Sequence, residues 1–249
     1  MFASSSKSVA LIQYTTFIIA FLGLFLYDFT LQNYLLLLIF YFLYSGIGVG
    51  MMMHRYFSHN VFEFKSKIIK WICIWFALMA GRGGILGWVY IHRLHHKTSD
   101  TVSDPHYPSL TPWGMLFPDY SGFDKDVNLR VVKDLLKKEY IEIDKYYNLL
   151  VIGWAAILFL IDPNLFYFGW VLPVILTHIM FNSFLVIGHK FGYRNHSTTD
   201  NSTNFWPYAI TLWGEGWHNN HHRRPGSWNL KERWWEIDII SFVIRLVGK

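Results

Sequence analysis

Two stretches of this chain repeat one histidine pattern: His92, His95 and His96 in "HRLHH", and His218, His221 and His222 in "HNNHH". A third stretch, "HRYFSH", adds His54 and His59. On an α-helix, positions i, i+3 and i+4 fall within an arc of about 100°. The imidazoles of each triplet therefore face one way, and two triplets can face each other across a gap that one or two metal ions would fill. The pair five apart is different, because five residues turn about 140° beyond a full turn. Either the helix ends near His54, or His54 and His59 grip different ions. Imidazole suits iron, zinc, copper and nickel, and suits magnesium or calcium poorly. Zinc usually takes four ligands, so this many histidines exceeds what one ion needs and two ions fit better. One such box at a membrane surface would pass as incidental; three on one side do not.

Apolar elements must position these boxes. The chain has 249 residues, of which 53% are hydrophobic and only 16% charged, where a soluble domain carries roughly 25% charged residues. A bilayer-spanning helix needs about 20 mainly apolar residues. Val9–Leu26 and Leu31–Met53 form one candidate pair, and Tyr146–Ile161 and Leu165–Gly188 a second, whose first member is short. The expected fold is an all-α integral membrane protein with four transmembrane helices and a cytosolic helical cap around a dinuclear metal site. Ile68–Tyr90 is apolar too, but Arg82 and four glycines interrupt it. An arginine at the membrane centre costs at least ~2.5 kcal/mol, so this segment reads as interfacial or re-entrant. The first apolar stretch lacks a strongly basic start and a small-residue cleavage site, so it reads as a span rather than a cleaved signal.

All 22 Lys and Arg lie at the N-terminus, in 54–146 or in 189–249, and none in the two short turns between paired spans. Four spans would place those regions on one side, and the positive-inside rule makes that side cytoplasmic, with both termini and the metal site. The chain reads as one domain over 1–249, its cap made of 54–145 and 189–249. The single cysteine, Cys73, excludes an intrachain disulfide or a CxxC metal site. Its apolar setting makes it a small buried hydrophobe. Gly46, Gly48 and Gly50 lack a strand-turn-helix context and read as a small-residue face for close helix packing. The net charge of +5 is modest, and nothing supports nucleic-acid binding.

"HRYFSH", "HRLHHKTSDTVSDPH", "HKFGYR", "DNSTNFWPYAITLWGEGWHNNHH" and "WWEID" follow one another from residue 54 to about 238. In this order they resemble the membrane fatty acyl desaturases with histidine boxes, of the Δ9 type, and most nearly the cyanobacterial and plastid acyl-lipid branch. The resemblance implies four membrane helices, a cytosolic cap and a di-iron centre held by nine histidines: His54, His59, His92, His95, His96, His189, His218, His221 and His222. It implies an oxidoreductase that activates O2 and removes two hydrogens from adjacent methylenes of a long acyl chain, leaving a cis double bond. The chain would be carried on lipid, CoA or another carrier. A methylene has no acidic proton and no leaving group, so the hard step belongs to the cofactor while the protein supplies position and a dry site.

Metal-bound imidazoles usually give their other N–H to a carboxylate, carbonyl or water. Asp100, Asp104 and Glu215 are the candidates for orienting a ligand; the alternative is that they pair with Arg93, Lys97 or Arg223. His106 reads as a neighbour of the site or a solvent group, His196 as exposed, and His178 as functional or as a neutral imidazole bonded to another helix. In the acyl-CoA branch an Asn one turn before the ninth histidine holds a metal through water. Here that position is Leu185, and the nearest Asn, Asn182, is not assigned as a ligand. The same branch often has Arg-Asp before the second box, where this chain has Tyr90-Ile91, which favours an acyl lipid or another carrier over a CoA ester. Phe42, Gly46 and Trp88 are candidate walls of the substrate tunnel. No CxxCH or reductase segment is visible, so two electrons come from an external donor, ferredoxin or cytochrome b5. An acyl or alkane hydroxylase is the alternative enzyme, and a His-rich membrane metal transporter the alternative from another class.

Overall fold

The structure, a computed structural model, describes residues 6–106, 117 and 127–249. It is helical throughout, and no strand forms among the described residues. α1 is Ser6–Gly23. α2, Leu31–Tyr41, runs without a break into a π-helical stretch, Phe42–Ser58. α3 is Lys67–Met79 and α4 is Ile85–Thr98, followed by a 3₁₀ turn at Leu129–Leu135. α5 is Lys138–Ile161. α6, Pro163–Ile187, is π-helical over Tyr167–Val171. Three short helices close the chain: α7, Trp206–Thr211; α8, His218–Arg223; and α9, Ile239–Val247.

Among the described residues, three helices are long and apolar enough to cross a membrane: Leu31–Ser58, Lys138–Ile161 and Pro163–Ile187. They make this a membrane protein. The apolar part of α1, Lys7–Gly23, is shorter. It stops at Gly23 instead of reaching Leu26; a Cβ added at Gly23 would run into the Tyr167 ring at 2.0 Å. α5 begins earlier than Tyr146, because helix continues through the charged turn Lys138–Asp144. The loop between α5 and α6 is set by Asp162, whose side chain caps Asn164 N just before the chain turns back through Pro163.

Ile68–Tyr90 divides between α3 and α4. The break falls at Gly81 and Gly83, whose φ of +70° and +99° lie in the left-handed region open to glycine. α4 starts against α5: Asp144 Oδ1 accepts from Leu86 N at 3.2 Å, and Tyr147 Oη accepts from Gly83 N at 2.9 Å. The helix bearing "HRLHH" is thus hung at its first turn from a buried carboxylate on a neighbouring helix.

The π-helical stretch forms the centre of the core. Tyr44 to Arg55 are buried throughout, packed by α3, α4, α6 and α9. Gly48 lets α3 approach, since a Cβ there would sit 2.7 Å from the Phe76 carbonyl oxygen. Cys73 is free and buried on α3, and burial pushes its thiol up to about 11.

Candidate metal centre

The eight boxed histidines and His189 converge in two groups. His54, His59, His92, His96 and His221 form one, and His95, His189, His218 and His222 form the other, each with potential ligand atoms within 4.8 Å of one another. The triplets face each other, but neither stays together. In each, the i and i+4 residues share a group, His92 with His96 and His218 with His222, while the i+3 residue joins the opposite group. On a helix i and i+4 differ by about 40°, and i+3 lies about 100° from i+4. The triplet therefore has two aims, not one.

His54 and His59 belong to the same group, against both alternatives posed by α-helical geometry. The cause is the π-helix. It closes i→i+5 bonds, so residues five apart stand one above the other; His59 N donates to His54 O at 3.3 Å. The helix runs on to Ser58, with His59 as its cap. Arg93 fixes this end. Its Nε donates to Ser58 O and its Nη2 to Phe57 O, both at 2.9 Å, while its fork grips Asp134 at 2.6 and 2.9 Å.

A carboxylate stands behind four of the nine rings. Glu215 Oε2 contacts His54 Nδ1. Asp104 accepts from His95 Nδ1 at 3.0 Å, Asp100 from His189 Nδ1 at 3.1 Å, and Asp200 from His222 Nδ1 at 2.7 Å. Burial works against charge on Glu215, but His54 and Arg55 beside it outweigh burial and hold its carboxyl below the usual range. Burial likewise opposes charge at Asp100, Asp104 and Asp200, and is outweighed by the histidine each one faces together with the backbone N–H groups each accepts from.

These contacts decide the tautomers and so test the fit to metal. An imidazole that gives Nδ1–H to a carboxylate presents a bare lone pair at Nε2. His95 Nε2 and His222 Nε2 are buried with no hydrogen-bond partner. Nε2 faces Nε2 at 2.9 Å between His54 and His221, at 2.9 Å between His189 and His218, and at 2.8 Å between His59 and His92. A second proton on these rings does not relieve the crowding. Burial, then the neighbouring histidines, pull His59, His92, His96, His218 and His221 well below 6.5. Four carboxylate-backed rings with bare Nε2, and five buried neutral rings beside them, fit a pair of metal ions.

The third box is braced from behind. Asn219 and Asn220 point away from the metal groups. Asn219 Oδ1 accepts from Asn195 N and His196 N, and Asn220 Nδ2 donates to Glu236 Oε2 at 2.9 Å. Asn204 Oδ1 accepts from the backbone N–H of both. "HNNHH" thus spends its histidines on one side and its asparagines on the other.

The fatty acid desaturase family model matches residues 29–238. The chain belongs to the fatty acid desaturase family. It is 32% identical to the sn-1 stearoyl-lipid 9-desaturase of Anabaena variabilis over 84% of this chain and 78% of that protein. It is 33% identical to the sn-2 palmitoyl-lipid 9-desaturase of Nostoc sp. (strain 36), over 85% and 77%. It is also 33% identical to the acyl-CoA C20 Δ5-desaturase of Anemone leveillei, over 80% and 66%. The chain is accordingly a desaturase, an oxidoreductase of lipid metabolism.

The remaining residues singled out in the desaturase sequence fall in distinct places. Asp100, Asp104 and Glu215 each touch a boxed histidine; Arg93 pairs with Asp134 instead. His106 lies outside both groups, its ring 4.9 Å from that of His95. His178 Nδ1 accepts from Arg82 Nη1 at 2.8 Å and its Nε2 meets Asn182 Nδ2 at 3.0 Å, and Asn182 Oδ1 accepts from Arg82 Nη2 at 2.6 Å. His178 and Asn182 therefore serve the Arg82 loop. His196, expected to be exposed, is half-buried and paired with Glu232 at 2.5 Å. Trp88 stacks on His92, centroids 5.1 Å apart, so it flanks a metal group directly. Phe42 and Gly46 sit together against Trp213.

Three functional residues escaped the sequence reading. Asp200 lies far from its partner His222 along the chain. Arg55, 1% exposed, donates from Nε and Nη2 to Glu215 Oε1 at 2.9 and 2.8 Å and from Nη1 to Asp238 Oδ2 at 2.8 Å. Asp238 also caps α9 at Ser241 N. Asp200 and Asp238 stand inside the quoted "DNSTNFW" and "WWEID" stretches, which is the available signal; proximity to a box in sequence finds Asp100, Asp104 and Glu215 but not these two.

Proposed function

We propose that this desaturase inserts a cis double bond at the Δ9 position of a long saturated acyl chain carried on a membrane lipid. The nine histidines hold two iron ions, His54, His59, His92, His96 and His221 on one and His95, His189, His218 and His222 on the other. The observation that carries this reading is the pairing of inward Nε2 lone pairs with outward carboxylates in two adjacent groups. When bound, the iron pair supplies O2 activation and the oxidising power to remove hydrogen from an unactivated methylene. The chain's own residues do the rest. Glu215, Asp100, Asp104 and Asp200 fix ring orientation and keep Nε2 unprotonated, and the buried groups keep water from the reacting carbons.

Four membrane helices, α1, the α2 unit, α5 and α6, leave α3, α4 and 189–249 as a cap of one domain on the cytoplasmic side, with both termini. Position along the acyl chain is a matter of tunnel geometry, and Phe42, Gly46 and Trp88 are proposed as tunnel walls. An acyl lipid is favoured over CoA because Tyr90, buried, spends its hydroxyl on Asn128 N and offers no charge to a CoA group. Two electrons come from an external ferredoxin or cytochrome b5.

The test is expression in a host with saturated lipids, with fatty-acid products and their positional isomers resolved by mass spectrometry. New Δ9 monoenes in the lipid fraction, and iron co-purifying with the protein, are the expected result. Hydroxylated chains, or monoenes confined to the CoA pool, would overturn the reaction or the carrier respectively.

A further inference from the structure

The C-terminal segment carries apolar side chains that no other part of the protein covers among the described residues. Trp234 is 88% exposed, Ile237 61%, Phe242 55% and Leu246 76%, all outside the three long apolar helices. In α9 the pattern is one-sided. Ile240, Ser241 and Ile244 are buried against the π-helical stretch, while Phe242, Arg245 and Leu246 point away. A helix with an inner apolar face already buried has no folding reason to expose phenylalanine and leucine on the other.

Cations border this face. α9 ends against the start of α3: Lys65 N donates to Val247 O at 2.9 Å, and Lys249 N to Glu63 O at 2.7 Å. Lys65, Lys67, Arg245 and Lys249 are exposed around the junction. The first turns of α3 continue the apolar surface with Ile68 at 73% and Ile72 at 51% exposure. Apolar side chains rimmed by Lys and Arg, with tryptophan nearby, have the composition of an interfacial helix and not of a water-exposed one.

We propose that α9, together with Trp234 and Ile237, lies on the membrane surface, with Phe242 and Leu246 buried in the headgroup–acyl boundary and Lys65, Lys67, Arg245 and Lys249 meeting anionic headgroups. The occupant of this face is the bilayer of the protein's own membrane, because the surface continues that of the first turns of α3 and its rim is positive. The seat also matters to the metal centre: α9 is capped by Asp238, which holds Arg55, which holds Glu215 against His54.

The inference rests on the chain residing in a membrane, and the test separates the two. Single cysteines at 242, 246, 224 and 160 in the full-length Cys73→Ala protein would carry nitroxide labels in nanodiscs. Collision with O2 and with a water-soluble nickel chelate would then be compared. Labels at 242 and 246 are expected to favour O2 several-fold, as at Leu160 in α5, while 224 favours nickel, and to do so more strongly with phosphatidylglycerol than with phosphatidylcholine alone. Nickel access at 242 and 246 equal to that at 224 would overturn the proposal. So would shielding of both positions from both reagents with spin–spin broadening, which means a second copy covers the face. Equal insertion in both lipids would overturn the anionic pairing. A label at 160 open to nickel would instead remove the membrane reading beneath it.

Discussion

His95 and His221 hold the same place in their triplets, and each belongs to the metal group of the other triplet. This exchange links α4 to α8, since neither helix completes a site alone. It also makes the groups unequal, with five histidines in that of His221 and four in that of His95. His95→Ala leaves three imidazoles in its group, whereas His221→Ala leaves four in its own. Metal analysis of the purified variants should therefore find His95→Ala reduced to about half the wild-type metal, with His221→Ala retaining most of it. Equal losses from both would contradict the crossed assignment.

Glu215 is shared between His54 and Arg55. Glu215→Gln keeps the shape but leaves Arg55 with one carboxylate in a buried site, and His54 without its anionic partner. Removing such a partner behind a metal ligand typically costs about 10–100-fold in affinity or activity, and breaking a buried ion pair about 3–5 kcal/mol. The expected outcome is lowered metal content with a lowered melting temperature, read together on one preparation. Full metal occupancy and normal turnover would remove Glu215 from the ligand's support.

Acid should unfold the metal-free protein from its histidines. Burial, helped by the neighbouring histidines and opposed by the Asp200 contact, brings His222 down to about 4, against about 6.5 in an unfolded chain. The unfolded state thus binds more protons below pH 6.5, and stability falls with pH. The contribution is complete above about 6.5 and is lost progressively down to about 4. His59, His92, His96, His218 and His221 shift the same way. Thermal melts of chelator-treated protein should drop steeply between these values, and a flat profile would mean the rings are not packed neutral.

Much of this centre was legible because histidine spacing survives any detail of the backbone. The split of each triplet was not, because i+3 and i+4 look equivalent when a helix face is drawn about 100° wide. The shared group of His54 and His59 was hidden for a different reason. Sequence periodicity assumes α-helical turns, and nothing in "GIGVGMMMHRYFSH" announces i→i+5 bonding. Asp200 and Asp238 were invisible as partners because their contacts to His222 and Arg55 are made only by folding. Apolar runs located the three long helices, but α5 extends back through the charged turn Lys138–Asp144, which apolarity does not mark.

Arg93 tests the π-helix directly. All its N–H groups are engaged, with Phe57 O, Ser58 O, Val131 O and both oxygens of Asp134. Lysine carries the charge but lacks the planar fork, so Arg93→Lys frees two carbonyls at the helix end that sets His59. A stability loss of about 1–3 kcal/mol is expected from the unmet buried groups, with metal loss from the His59 group. Wild-type metal content and stability in the lysine variant would show that the π-helix holds its own end.

Gly46 tests the tunnel. A Cβ at this position would lie 2.9 Å from Phe42 Cδ2 and 3.0 Å from Trp213 Cδ1, both ring atoms. Trp213 is itself held, its indole N–H donating to Ser45 Oγ at 2.7 Å, so Phe42 is the ring that must move. If these residues close the acyl tunnel, Gly46→Ala pushes Phe42 inward and shortens the chain that fits. A methylene in an apolar pocket is worth about 1–3 kcal/mol of discrimination, so the product ratio of C16 to C18 monoenes should rise about tenfold or more. An unchanged ratio with unchanged total product would place the tunnel's end elsewhere, because the substitution cannot be accommodated without moving one of the two rings.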